Sequence, residues 1–92
     1  MQEQEVLEIL KINLGIAGDT YDRYLRTLIE AAKDMIAREG IMLGTSAEDY
    51  NLVTMYAAYL FRKRAADNPV MPRMLRYALN NRLFAQKAGG SV

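Results

Sequence analysis

The 92-residue chain has no cysteine and no histidine, which excludes a disulfide framework and a thiolate nucleophile and removes the usual neutral-pH base and the commonest metal ligand. A chain this short makes one domain that buries only roughly 60–65% of its unfolded surface, so association is a natural source of extra stability. Its net charge of +1 conceals a split, because residues 1–50 carry −5 and residues 51–92 carry +6, with Asp67 the only acid of the second half.

Such polarity suits head-to-tail self-association, an acidic partner or nucleic acid, or two halves whose charges face each other within one molecule. The first residues, Met1 to Glu5, are acidic and lack the basic flank and apolar run of a signal peptide. Assembly in the cytoplasm is therefore expected.

In chain order, the first predicted helix covers residues 4–13. Val6, Leu7, Leu10 and Leu14 form one stripe, and Gly15 follows as a C-terminal breaker. Isolated helices shorter than about 12–15 residues are marginal in water, so this one must dock. Residues 16–18 read as a linker. Asp19 is the expected N-cap of a second helix over 20–39, with Asp22 complementing its dipole. Tyr21, Leu25, Leu28, Ile29, Ala32, Met35 and Ile36 give this helix an apolar face, and Gly40 sits where a left-handed cap belongs, with Ile41 able to fold back.

Met42-Leu43-Gly44 is a loop with an apolar tip. A capping box then opens the third helix, with either Thr45 and Glu48 or Ser46 and Asp49 as its register. This helix, over 46–66, contains Leu52 to Phe61, nine of whose ten residues are apolar or aromatic. That run is too short to cross a bilayer, which needs about 20 residues. An apolar circumference must be covered, and part of the cover is expected from other chains. Tyr56 and Tyr59 mark that flank, since tyrosine favours interfaces.

Asp67 to Met71 reads as a turn that stops the third helix, because Pro69 cannot continue it. Pro72 fits the first position of a fourth helix over 72–87, in which Leu75, Ala78, Leu79, Arg82 and Leu83 form the inner stripe. Residues 88–92 are expected to be a flexible end. The expected fold is all-α, a single four-helix domain over 1–92.

Carboxylate pairs such as Glu5/Glu8 and Glu30/Asp34 have no histidine, cysteine or apolar pocket to tune them. Gly15 and Gly18 lack the spacing of a phosphate loop, and no ligand set has metal spacing. No catalytic, cofactor or metal residues are expected, and the chain does not read as an enzyme. Arg62, Lys63 and Arg64, with Arg73, Arg76 and Arg82, offer a basic cluster. It suits either a phosphate backbone or, for the first three, the negative end of a helix dipole.

Leu7-x-x-Leu10-Lys11-x-x-Leu14-Gly15-Ile16 and Leu28-Ile29-Glu30-Ala31-Ala32-Lys33 resemble the opening of the small tailed-phage head–tail connector (adaptor) proteins. Met55-Tyr56-Ala57-Ala58-Tyr59-Leu60-Phe61-Arg62-Lys63-Arg64 and Met71-Pro72-Arg73-Met74-Leu75-Arg76-Tyr77-Ala78-Leu79-Asn80-Asn81-Arg82-Leu83 look like the second half of prophage members. The resemblance implies an all-α subunit of a ring that docks under the portal protein, extends the DNA channel and joins capsid to a downstream head-completion or tail protein. The expected partners are then copies of itself, the portal, that next protein and, transiently and without sequence preference, packaged DNA; no membrane is involved. Its expected place is the virion head–tail junction, after assembly in the host cytoplasm. Tyr56, Tyr59, Arg26, Glu30 and Asp34 become candidates for the subunit interface, and Arg62, Lys63, Arg64, Arg73, Arg76 and Arg82 for the DNA channel or an acidic partner. The alternative from the residues themselves is a small helical nucleic-acid-binding or regulatory domain.

Overall fold

A computed structural model describes residues 3–65 and 70–90. Four helices account for most of them: α1 (Glu3–Leu14), α2 (Asp22–Arg38), α3 (Ala47–Lys63) and α4 (Arg73–Gly90). The described residues contain no strand, as the absence of any period-2 pattern predicts. The expected turn after α3 lies mostly outside the described residues. α4 continues to Gly90, three residues past its expected end at 87.

The chain is organised around α3. Leu52, Val53, Tyr56, Ala57 and Ala58 are buried on it, in one core with Val6, Leu7 and Leu10 of α1, Leu25, Ile29, Ala32 and Ile36 of α2, and Leu75 and Leu79 of α4. The cover of this apolar helix therefore comes chiefly from its own chain, while Met55, Tyr59, Leu60 and Phe61 are covered only in part. Thr54, its one polar interruption, is also buried and donates its hydroxyl to the Tyr50 carbonyl at 2.9 Å. That bond satisfies the group within the helix.

Helix ends follow local chemistry, with shifts from expectation: α3 ends at Lys63 rather than 66, and α4 begins at Arg73, so Pro72 precedes the helix instead of opening it. Gly15 ends α1 at φ 71°. Asp19 does not cap α2; the Asp22 amide donates to the Asp19 carbonyl at 3.1 Å, and the helix starts only at Asp22. The Asp22 carboxylate meets Lys11 of α1 at 2.8 Å, too obliquely for a hydrogen bond to Oδ1, so the contact is an ion pair that fixes the α1–α2 corner. At α3 the second of the two capping registers holds, with Ser46 Oγ accepting from the Asp49 amide at 3.1 Å.

Gly40 ends α2 at φ 93°, where Ile41 turns back into the core. A Cβ at Gly40 would meet nothing nearer than Leu83 Cδ1 at 3.7 Å. Gly40→Ala is thus expected to cost about 1–2 kcal/mol from left-handed backbone strain. An unchanged urea midpoint would show that this turn relaxes without strain.

The molecule measures 46 × 32 × 17 Å, a plate two helix layers thick given an interaxial spacing of about 8–10 Å. α1 and α2 pack closely on α3 and on each other, whereas α4 rests chiefly on α3.

Candidate functional site

The basic end of α3 is built from side chains that are partly engaged. Arg62 Nη2 donates to the Asn13 carbonyl at 3.3 Å and to Asn13 Oδ1 at 3.2 Å, tying the end of α1 to the end of α3. Lys63 Nζ lies 5.8 Å from the Tyr59 ring centre. Arg64 stacks over Phe61 at 4.2 Å and approaches Tyr24 at 5.9 Å, and Tyr21 meets the same Phe61 edge-on at 6.0 Å. Cation–π contacts at exposed sites contribute about 0.5–1 kcal/mol each. Beside this end lies an open groove of about 540 Å³, lined mainly by Met55, Ala58, Tyr59, Val70, Pro72 and Met74 with Arg62 and Lys63 at its rim.

The basic residues of α4 divide differently. Arg82 turns inward and holds Asp49, which is 2% exposed, through Nε to Oδ1 at 2.5 Å and Nη2 to Oδ2 at 3.1 Å. Its Nη2 also donates to the Met42 carbonyl at 2.8 Å, and the Gly44 amide donates to Asp49 Oδ2 at 2.6 Å. Arg76 forms a similar fork with Glu39 at 3.0 and 3.1 Å. Arg82 thus points its donors at a buried carboxylate and away from the surface that a DNA-channel contact needs, while Arg76 pairs with Glu39 and stays partly exposed. Of the six candidates, Arg62, Lys63, Arg64 and Arg73 are exposed and have no carboxylate partner among the described residues, Arg62 being tied to Asn13.

The same pairs set a pH dependence. The Arg82 guanidinium, aided by the Gly44 amide and opposed by burial, holds the Asp49 carboxyl below its ordinary value of 3.8. Hydrogen bonding from Arg76 holds Glu39 below its ordinary 4.5. Folded-state values lower than unfolded ones contribute stability above the ordinary carboxylate range, and that contribution is lost as pH falls through the folded values. The urea midpoint is expected to be level from about pH 8 to 5 and to fall below about pH 4. A midpoint unchanged at pH 3 would contradict this coupling.

The candidate interface residues do not form one patch. Tyr56 is only 4% exposed, covered by its own chain, and stands edge-on to Tyr59 at 5.9 Å; it is a core tyrosine rather than an interface one. Tyr59 is half-buried and lines the groove. Arg26, Glu30 and Asp34 share an exposed face of α2 at i,i+4 spacing. There Arg26 donates to Gln4 Oε1 at 3.0 Å and Lys33 pairs with Glu30 at 3.2 Å.

The structure brings forward surfaces that sequence reasoning passed over. On α4, Met74, Tyr77 and Phe84 are exposed, Met74 at 75% and Phe84 at 78%, on the side opposite Leu75 and Leu79. On α1, Ile9 is partly exposed and Ile12 is 81% exposed. The sequence signal for them is a second set of apolar residues at intervals of three and four, opposite the inner stripe of each helix. Among the described residues no group of acids could hold a metal ion, and no helix is long and apolar enough to cross a membrane. Comparison with protein-family models, with curated proteins and with solved structures finds no match.

Proposed function

We propose that this chain is a structural subunit of a phage head–tail connector ring. In this reading it docks under the portal protein, extends the DNA channel and joins the capsid to a tail-completion protein at the virion head–tail junction. The observation that carries it is the apolar surface left over by the described residues: Ile12, Met74 and Phe84 stay mostly in water on helices that already have a docked inner face. Exposed apolar side chains of this size gathered on helix faces favour an association site. Part of the −5/+6 charge split is met within the molecule by the Arg76–Glu39 and Arg82–Asp49 pairs; the remainder, with the resemblance of four ordered sequence blocks to connector proteins, supports a repeating, mixed-sign contact between copies. Lys63, Arg64 and Arg73 supply the cations for transient, sequence-independent contact with passing DNA. The sparing number of such cations argues against a dedicated nucleic-acid-binding domain, which carries a strongly basic footprint.

Light scattering and negative-stain images over a range of protein concentration and salt test the proposal. Rings, or oligomers that grow with concentration, are expected. A protein that stays monomeric at high concentration, with and without portal protein, would sink it.

A further inference from the structure

We infer that the outer face of α4 docks on the outer face of α1 of a second copy. This rests on the connector reading in taking the partner to be the same chain, and deepens it by naming the two surfaces.

The argument starts from spacing. Met74, Tyr77, Asn81 and Phe84 recur at intervals of three and four, the pattern of a seam that packs against another helix. All four lie on the exposed side of α4, a helix about 27 Å long at 1.5 Å per residue. The helix contains no acid, and exposed Arg73 and Lys87 stand near the two ends of the seam. Pairing two α4 seams with each other would bring base against base.

The face that complements this seam is on α1. Ile9 and Ile12 supply exposed apolar side chains, and Glu5 and Glu8 stand on the same outer side. The one base of α1, Lys11, is held by Asp22, so the helix presents a predominantly acidic surface. The α2 face fits less well: Arg23, Arg26 and Lys33 are interleaved with Glu30 and Asp34, and Tyr24, at its N-terminal end, is its only large exposed apolar side chain. α1 and α4 share no substantial packing within one molecule, so neither outer face is covered by the other helix of its own chain. A contact between unlike surfaces repeats from copy to copy and closes into a ring when the rotation allows.

Two variants decide the matter. Phe84→Asp spoils only the α4 face, and Ile12→Lys spoils only the α1 face; both positions are exposed, and far-ultraviolet circular dichroism with thermal melts at low concentration confirms that each variant folds. Sedimentation velocity then reads assembly. Each variant alone is expected to need at least about tenfold more protein for half-assembly than the native chain. Mixed in equal amounts, they are expected to form a one-to-one pair, because one copy keeps an intact α1 face and the other an intact α4 face. Loss of assembly in Phe84→Asp but not in Ile12→Lys would overturn the pairing in favour of α4 against itself. Native-like assembly by both variants would overturn it while leaving the ring reading in place. A native chain that never assembles would remove the ring reading and this inference together.

Discussion

Replacing Arg82 by alanine is expected to destabilise the fold by about 3–5 kcal/mol, because it strands a buried carboxylate that has lost its charge partner. For a domain of this size that lowers the melting temperature by more than about 10 °C. Asp49 is sealed under the 42–44 loop and takes two of its hydrogen bonds from Arg82. The pH response separates this cause from mere loss of packing. Without Arg82, only the Gly44 amide and Ser46 remain to oppose burial at the Asp49 carboxyl, so the lowering weakens and less stability is left for acid to remove. Pairing Arg82→Met with Asp49→Asn should recover much of the loss, since a neutral amide costs less to bury than a carboxylate. A single Arg82→Ala variant within about 0.5 kcal/mol of the native chain, the usual range for surface substitutions, would show the pair to be ornamental.

Leu7→Ala is expected to cost about 2–5 kcal/mol, through lost burial and the cavity left behind. Leu7 is fully buried on a twelve-residue helix held by Val6, Leu7 and Leu10. A helix of that length does not persist undocked, so the loss should appear as weakened protection of the whole of α1. Ile12→Ala on the same helix is the control. Its side chain is mostly in water, and at low protein concentration the change should stay within about 0.5 kcal/mol. Equal losses at the two positions, read as urea midpoints, would mean that α1 docks by a different face.

The four helices and their inner faces were legible in the sequence because helical periodicity and end signals are local. The stripes of α1 and α2 and the left-handed turn at Gly40 depend on a few neighbouring residues and stand as expected, save that Tyr21 lies before α2 and is exposed; the Ser46 cap is one of the two registers that the sequence left open. What was not legible depends on distance. Arg82 falls on the inner stripe of its helix by spacing, yet its chemistry reads as a surface cation. Only its partner, 33 positions away, reconciles the two. Asp49 reads as one more acid at a helix start, and nothing local announces that it is buried. Tyr56 fails for a related reason: three helices of one chain cover α3 more fully than its apolar run suggested, and only the folded arrangement shows how far that cover reaches.

Gln86 adds a constraint of another kind. Its side-chain amide donates to the Gly40 carbonyl at 2.9 Å and accepts from the Met42 amide at 2.7 Å, as an adjacent strand would. Both contacts are to main-chain atoms, so the clasp is indifferent to the side chain at position 42 and exacting about its own. Glutamate at 86 would keep the acceptor and lose the donor, while leucine would lose both. Tolerance to substitution in this part of the molecule is therefore inverted: the exposed loop tip is free to vary, and the half-buried residue on the helix beside it is not.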